Sequence, residues 1–208
     1  DLSNISEEFV ITEGSTKTVS FSLAVEYLLL NGGFEVNNAE GASDWSPMKN
    51  GWGNYIEVTQ QAARTGDYGV AIHTSASNNP WIMQVIPVEA GAMYEVTSWF
   101  KANGVTGDMG YKFEFYKDRE NNSENWLTGY DYKAPSSQND GEWHELKYEM
   151  EVPAKAKYVY VYLRLYGNGE VYFDDASVMK TKNPTSASQH GNESNLLIIH
   201  DVTTATMH

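Results

Sequence analysis

The sequence predicts an all-β fold, a two-sheet antiparallel sandwich, and three observations carry that prediction. The stretch Lys157–Gly167, KYVYVYLRLYG, alternates strictly, with Val159, Val161, Leu163 and Leu165 on one parity and Tyr158, Tyr160, Tyr162, Arg164 and Tyr166 on the other. Successive side chains of a strand point to opposite faces, so such a run has one core face and one outer face. Short apolar runs of this kind recur along the chain, separated by Gly, Asn, Asp and Ser turns, the pattern of an antiparallel sandwich. No stretch holds three turns of apolar residues at helical spacing.

Taken in order, residues 9–25 read as two short strands around Glu13-Gly14-Ser15, with Val19, Phe21, Leu23 and Val25 alternating against Ser20, Ser22 and Ala24. They are either the closing hairpin of a preceding domain or an extra strand of this one. The main series is Tyr55–Gln60, Tyr68–Thr74, Trp81–Val88, Tyr94–Ala102, Gly110–Tyr116, Glu142–Val152, Lys157–Tyr166 and Glu170–Met179. Within Gly110–Tyr116, Tyr111, Phe113 and Phe115 take the core parity, and Lys112, Glu114 and Tyr116 join the same outer face as the tyrosine ladder. Residues 181–195 are polar and turn-rich, the composition of a linker, and Leu196–Ile199 either begins a following domain or docks as an edge strand. The expected division is 1–27 as the end of a preceding domain or extra strands, 28–180 as the β-sandwich, and 181–208 as linker and start of a next domain. Both ends look like connections, so a segment of a larger bacterial, secreted or cell-surface protein is expected.

The chain has 208 residues with 41% hydrophobic content, enough to bury a core. Its 28 acids against 14 bases give a formal charge of −14, which disfavours nucleic acid and anionic membrane surfaces as partners. Cys is absent, which removes a thiol nucleophile, Cys-ligated metals and disulfides. No apolar run approaches a membrane span. The expected solution state is a monomer.

Several segments in order resemble carbohydrate-binding modules of families 4 and 9, with relatives in families 16 and 22. Leu28–Glu35, LLLNGGFE, resembles their opening "N-L-(I/V)-x-N-G-x-F-E"; Thr65–Ile72, TGDYGVAI, resembles "sGxyslxv". Trp81–Val85, WIMQV, followed by Gly91–Lys101, GAMYEVTSWFK, resembles "wxQxv…GxxYxxsxWxK", and Trp143, Val152-Pro153 and Val171–Val178, VYFDDASV, complete the order. The resemblance covers residues 28–180. It implies a jelly-roll β-sandwich, no catalysis, a role beside a polysaccharide-degrading lyase or glycoside hydrolase, and a structural calcium. In the resembling modules the Glu of "GxFE", an Asp of the terminal "DD" and carbonyls of the "sGxy" turn converge. That maps to Glu35, a carbonyl near Gly33, the Asp67–Tyr68 turn and one of Asp174 or Asp175. Calcium takes several oxygen ligands, mixing carboxylates and carbonyls. Turn capping by these acids without a metal is the other account of them.

The tyrosine ladder is the candidate ligand face: Tyr160, Tyr162, Arg164 and Tyr166, with Lys112, Glu114 and Tyr116 beside them. Sugar C–H patches stack on aromatic rings, and charged or amide groups bond the hydroxyls. The resemblance adds Trp81 and Gln84, and Trp126 with Tyr130 and Tyr132 would wall one end of a groove from a loop. Trp99 and Trp143 resemble core tryptophans of the family, and Trp45 reads as buried. The alternative is that the tyrosines merely cover the sheet, pack under the 117–140 loop, or meet a neighbouring catalytic domain, which would make this a structural sandwich. Arg164 and Lys112 keep an acidic polyuronate open beside neutral glucan or xylan. The five histidines show no HExxH or paired metal spacing, and GxSxG, Walker and dinucleotide motifs are absent.

Overall fold

The computed structural model describes residues 27–184 except Ser77. The expectations for residues 9–25 and for Leu196–Ile199 lie outside these described residues. Eleven strands follow in chain order: β1 (Asn37–Asn38), β2 (Gly41–Ala42), β3 (Ser46–Pro47), β4 (Ile56–Thr59), β5 (Gly69–Thr74), β6 (Trp81–Pro87), β7 (Met93–Asn103), β8 (Thr106–Tyr116), β9 (Trp126–Lys133), β10 (Asp140–Glu151) and β11 (Tyr158–Lys182). Among the described residues the only helical pieces are two short 3-10 turns, Gln60–Ala62 and Ser136–Gln138.

All the named strand pairings are antiparallel; β1 and β2 form a separate two-stranded ribbon, and the other nine strands form two layers that share β11. In the first layer the order is β10-β7-β11-β5-β4, using the second half of β11 from Gly169 onward. In the second it is β3-β6-β11-β8-β9, using the first half, Tyr158–Asn168. The expected strands Lys157–Tyr166 and Glu170–Met179 are therefore one bent strand that crosses between sheets. Glycine makes the crossing possible: a Cβ on Gly167 would lie 1.8 Å from the Thr106 carbonyl oxygen.

The core fills the space between the layers as alternation requires. Val159, Val161, Leu163 and Leu165 are buried against Phe113, Phe115, Phe100 and Phe173. Tyr111 joins them, its hydroxyl reaching Ser98 Oγ at 2.8 Å and the Leu146 carbonyl at 2.7 Å. Trp45 is buried against Phe34, their ring centroids 5.2 Å apart.

Two expectations are corrected. Residues 126–133 are not loop but strand β9, paired with β8, and Tyr130 and Tyr132 face inward against Phe113, Tyr111 and Tyr148. Gly129 interrupts the apolar pattern, so only pairing with β8 reveals this strand. Trp99 and Trp143 are not in the core. They share the half-buried parity of β7 and β10, opposite buried Phe100 and Leu146, and so lie on the outer face of the first sheet.

Candidate functional site

Cross-strand register assembles the outer face of the second sheet row by row. Tyr158 sits beside Tyr116, Tyr160 beside Glu114, Tyr162 beside Lys112, Arg164 beside Gly110 and Tyr166 beside Asp108. On the other flank Val85, Met83 and Trp81 of β6 pair with Tyr160, Tyr162 and Arg164. Every expected ligand residue of β8 and β11 lies on this face, with Trp81 from β6.

The tyrosines do not present open rings. Tyr116, Tyr160 and Tyr162 form a cluster only 3–5% exposed, flanked by Trp81, Met83 and Val85. The loop 117–125 covers one end: Tyr160 donates to the Arg119 carbonyl at 2.6 Å and Tyr116 donates to Asn121 Oδ1 at 2.9 Å. Tyr162 donates to Glu114 Oε2 at 2.6 Å and meets Trp81 edge-on at 5.1 Å between centroids. Three expected contact residues, Tyr116, Tyr160 and Tyr162, are thus the floor of the face, because their hydroxyls are spent inside the protein. The open aromatics are Trp126 and Tyr166, about half exposed, with Trp81 half-buried.

Each cation of the face has a carboxylate partner. Lys112 Nζ lies 2.7 Å from Glu114 Oε1, Arg164 lies 2.9 Å from Asp131 Oδ2, and Lys133 lies 2.6 Å from Asp108 Oδ2. The Arg164 guanidinium also stacks 4.8 Å from the Tyr166 ring centre. Burial opposes the Glu114 charge, but Lys112 and the Tyr162 and Tyr116 hydroxyls outweigh it and hold its carboxyl below the usual range. Burial and the adjacent Glu114 charge together push the Tyr116 hydroxyl up to about 12.

Gln84 is corrected outright. It shares the inward parity of Ile82 and Ile86, and its amide accepts from Leu30 N at 3.1 Å and donates to the Leu30 carbonyl at 2.6 Å. It ties the opening segment to β6 and is turned away from the ligand face. Residues 81 and 84 differ by an odd number, so the sequence already forbids them one strand face.

The expected metal residues meet only in part. Gly33, Glu35 and Asp174 converge: a Cβ on Gly33 would lie 3.8 Å from Glu35 Cγ and 4.0 Å from Asp174 Oδ1. Glu35 Oε1 accepts from Asp67 N at 2.9 Å and Tyr68 N at 3.1 Å, so that turn offers it N–H groups and not carbonyls. Gly66 permits the contact, since a Cβ there would lie 2.1 Å from Glu35 Oε1. Asp174 is fully buried, and its oxygens accept from Arg64 N, Thr65 N and Asp175 N at 2.7, 3.0 and 2.7 Å. Burial nonetheless pushes its carboxyl up to about 6, with the Asp175 charge adding to the rise. Asp175 is committed elsewhere, to Arg64 at 2.7 Å and Thr65 Oγ1 at 2.6 Å. Among the described residues no group of three or more His, Cys, Asp or Glu side chains is placed to hold a metal. Asp175 is thus spent on Arg64 and Thr65, whereas Glu35 and Asp174 both approach Gly33.

Residues 26–170 match the family described as carbohydrate binding domain, CBM_4_9. The chain belongs to that family. A family 16 carbohydrate-binding module is similar in structure, with a TM-score of 0.52 at 15% identity, covering 73% of this chain and 98% of its own. The CBM22-1 xylan-binding domain of Paenibacillus barcinonensis Xyn10C gives 0.55 at 14% identity, covering 78% and 99%. The active domain of a bacteriophage CBA120 tailspike protein gives 0.55 at 12% identity, where the match covers 74% of this chain and 21% of that one. No curated protein matches the chain. A carbohydrate-binding β-sandwich is what these findings establish, and the rows above supply its candidate face.

Proposed function

We propose that this module binds a neutral polysaccharide through the outer face of its second sheet, without turnover, and so holds an attached polysaccharide-degrading enzyme on its polymer. The observation that carries the reading is the pairing of charges around open aromatic groups. Trp81, Tyr166 and Trp126 offer rings for sugar C–H patches, while Lys112, Arg164 and Lys133 each already face a carboxylate. A polyuronate would bring carboxylates onto Glu114, Asp131 and Asp108. A hydroxyl-rich chain meets donors and acceptors at once. Tethering raises the local concentration of a linked catalytic domain on its substrate. A secreted enzyme is the setting that fits such a task.

The reading includes a structural calcium held by Glu35, Asp174 and carbonyl oxygens near Gly33. It would supply the positive charge that buried Asp174 lacks and clamp the opening segment to β11.

Affinity electrophoresis against mixed-linkage glucan, xylan, galactan, alginate and pectin tests the function. Retardation on one or more neutral polymers, with no product released, is expected. Retardation on alginate or pectin alone overturns neutral specificity, and release of sugar overturns the non-catalytic reading.

A further inference from the structure

The opposite face of the sandwich carries a second aromatic row that the ligand face does not use. Register places Trp143 of β10 beside Lys101 of β7, and Lys101 beside Tyr172 of β11. The Lys101 ammonium lies 5.1 Å from the centre of each ring. Trp143, Lys101 and Tyr172 are all half-buried on this face. The nearby Trp99 differs, because the Arg64 guanidinium already covers its ring at 3.6 Å. Unlike the three cations of the other face, Lys101 makes no ion pair among the described residues, so its donors have rings beneath them and no acceptor.

We propose that Trp143, Lys101 and Tyr172 form a second glycan platform. Two strand spacings separate the aromatic residues, about 9.5 Å. An extended β-linked pyranose chain turns the same face outward at every second sugar, close to that interval. Alternate sugars would stack on Trp143 and Tyr172, with the Lys101 ammonium donating to hydroxyl or ring oxygens between them. Glu145, Glu95, Glu170 and Glu57 share this face and disfavour a polyanion, which commits the platform to a neutral chain. Since the two platforms lie on opposite outer faces, one module would bridge two polymer strands. The inference rests on the proposed sugar-binding role but not on the ligand face itself.

The test titrates the full 208-residue chain with xylohexaose and with cellohexaose, reading stoichiometry by calorimetry and the Trp143 indole N–H by NMR. Two sugars per chain are expected for the preferred oligosaccharide. The double variant Trp81→Ala/Tyr166→Ala should lose one and keep the Trp143 shift, whereas Trp143→Ala should lose the other. Lys101→Met keeps the aliphatic stem over the rings and serves if Trp143→Ala does not fold; it should weaken the second sugar about tenfold, the scale of a lost charged hydrogen bond. A single sugar per chain with a silent Trp143 signal overturns the second platform and leaves the first intact. Absence of any binding overturns both. A Trp143 shift that follows protein concentration and not sugar marks a self-contact and also overturns the platform.

Discussion

The two halves of β11 obey one rule of alternation and end in different service. In the first half the outward residues are Tyr160, Tyr162, Arg164 and Tyr166; in the second they are Glu170, Tyr172 and Asp174. Within each half, a neighbouring segment seals part of the outward set. The loop 117–125 closes over Tyr160 and Tyr116, and the turn at Arg64–Thr65 closes over Asp174. Facing outward is thus distinct from being open. What the first half offers a ligand is its far end, Arg164 and Tyr166, while the second half offers Tyr172 and spends Asp174 on holding the molecule together.

Four measurements would sharpen or break this division. The largest effect is expected for Tyr162→Ala, which removes a buried ring and should lower stability by about 3–5 kcal/mol in denaturant unfolding. A neutral result would mean the floor is not a floor. Next is the pH dependence of Asp174. Its folded value, about 6, stands above that of the unfolded chain, so stability should fall as pH rises from about 4 to about 6. Saturating calcium should remove that fall and raise the melting temperature, and a chelator should reverse both. No calcium-dependent shift counts against the metal. Glu114 has the opposite sign: its stabilisation is present above the ordinary glutamate range and fades as pH drops below it.

Gln84→Ala comes third. It leaves the Leu30 backbone N–H and carbonyl without their partners and should cost about 1–3 kcal/mol of stability with no change in sugar affinity. A loss of affinity at unchanged stability would return Gln84 to the ligand face. The smallest effect, and the most local, is Tyr166→Ala. It should weaken retardation on the preferred polymer about tenfold, or about 1.4 kcal/mol. Stability should change by less than about 0.5 kcal/mol, as for an open surface residue.

Much of this molecule was legible in its residues. The alternation in Lys157–Gly167 gave the correct core and outer sets, and that in Gly110–Tyr116 put Lys112, Glu114 and Tyr116 on the same face. The family followed from ordered motifs between Leu28 and Val178. Three things escaped. Strand β9 was hidden because Gly129 breaks its pattern and its inward tyrosines make sense only against β8. Trp99 and Trp143 resembled core tryptophans of the family, yet both lie half-buried on the outer face, Trp99 under the Arg64 guanidinium and Trp143 beside the Lys101 ammonium. Asp175 looked free to serve as a metal ligand, but it pairs with Arg64, a partner more than a hundred residues away in the chain.

By itself, then, the sequence determined fold class, family and the sides to which the residues of Lys157–Gly167 and Gly110–Tyr116 point, because parity is set by the backbone within a few residues. Only the tertiary structure decided which outward groups stay open, which cations are neutralised and which acids are sealed in. Those properties depend on segments brought together from distant parts of the chain, and no local pattern encodes the cover.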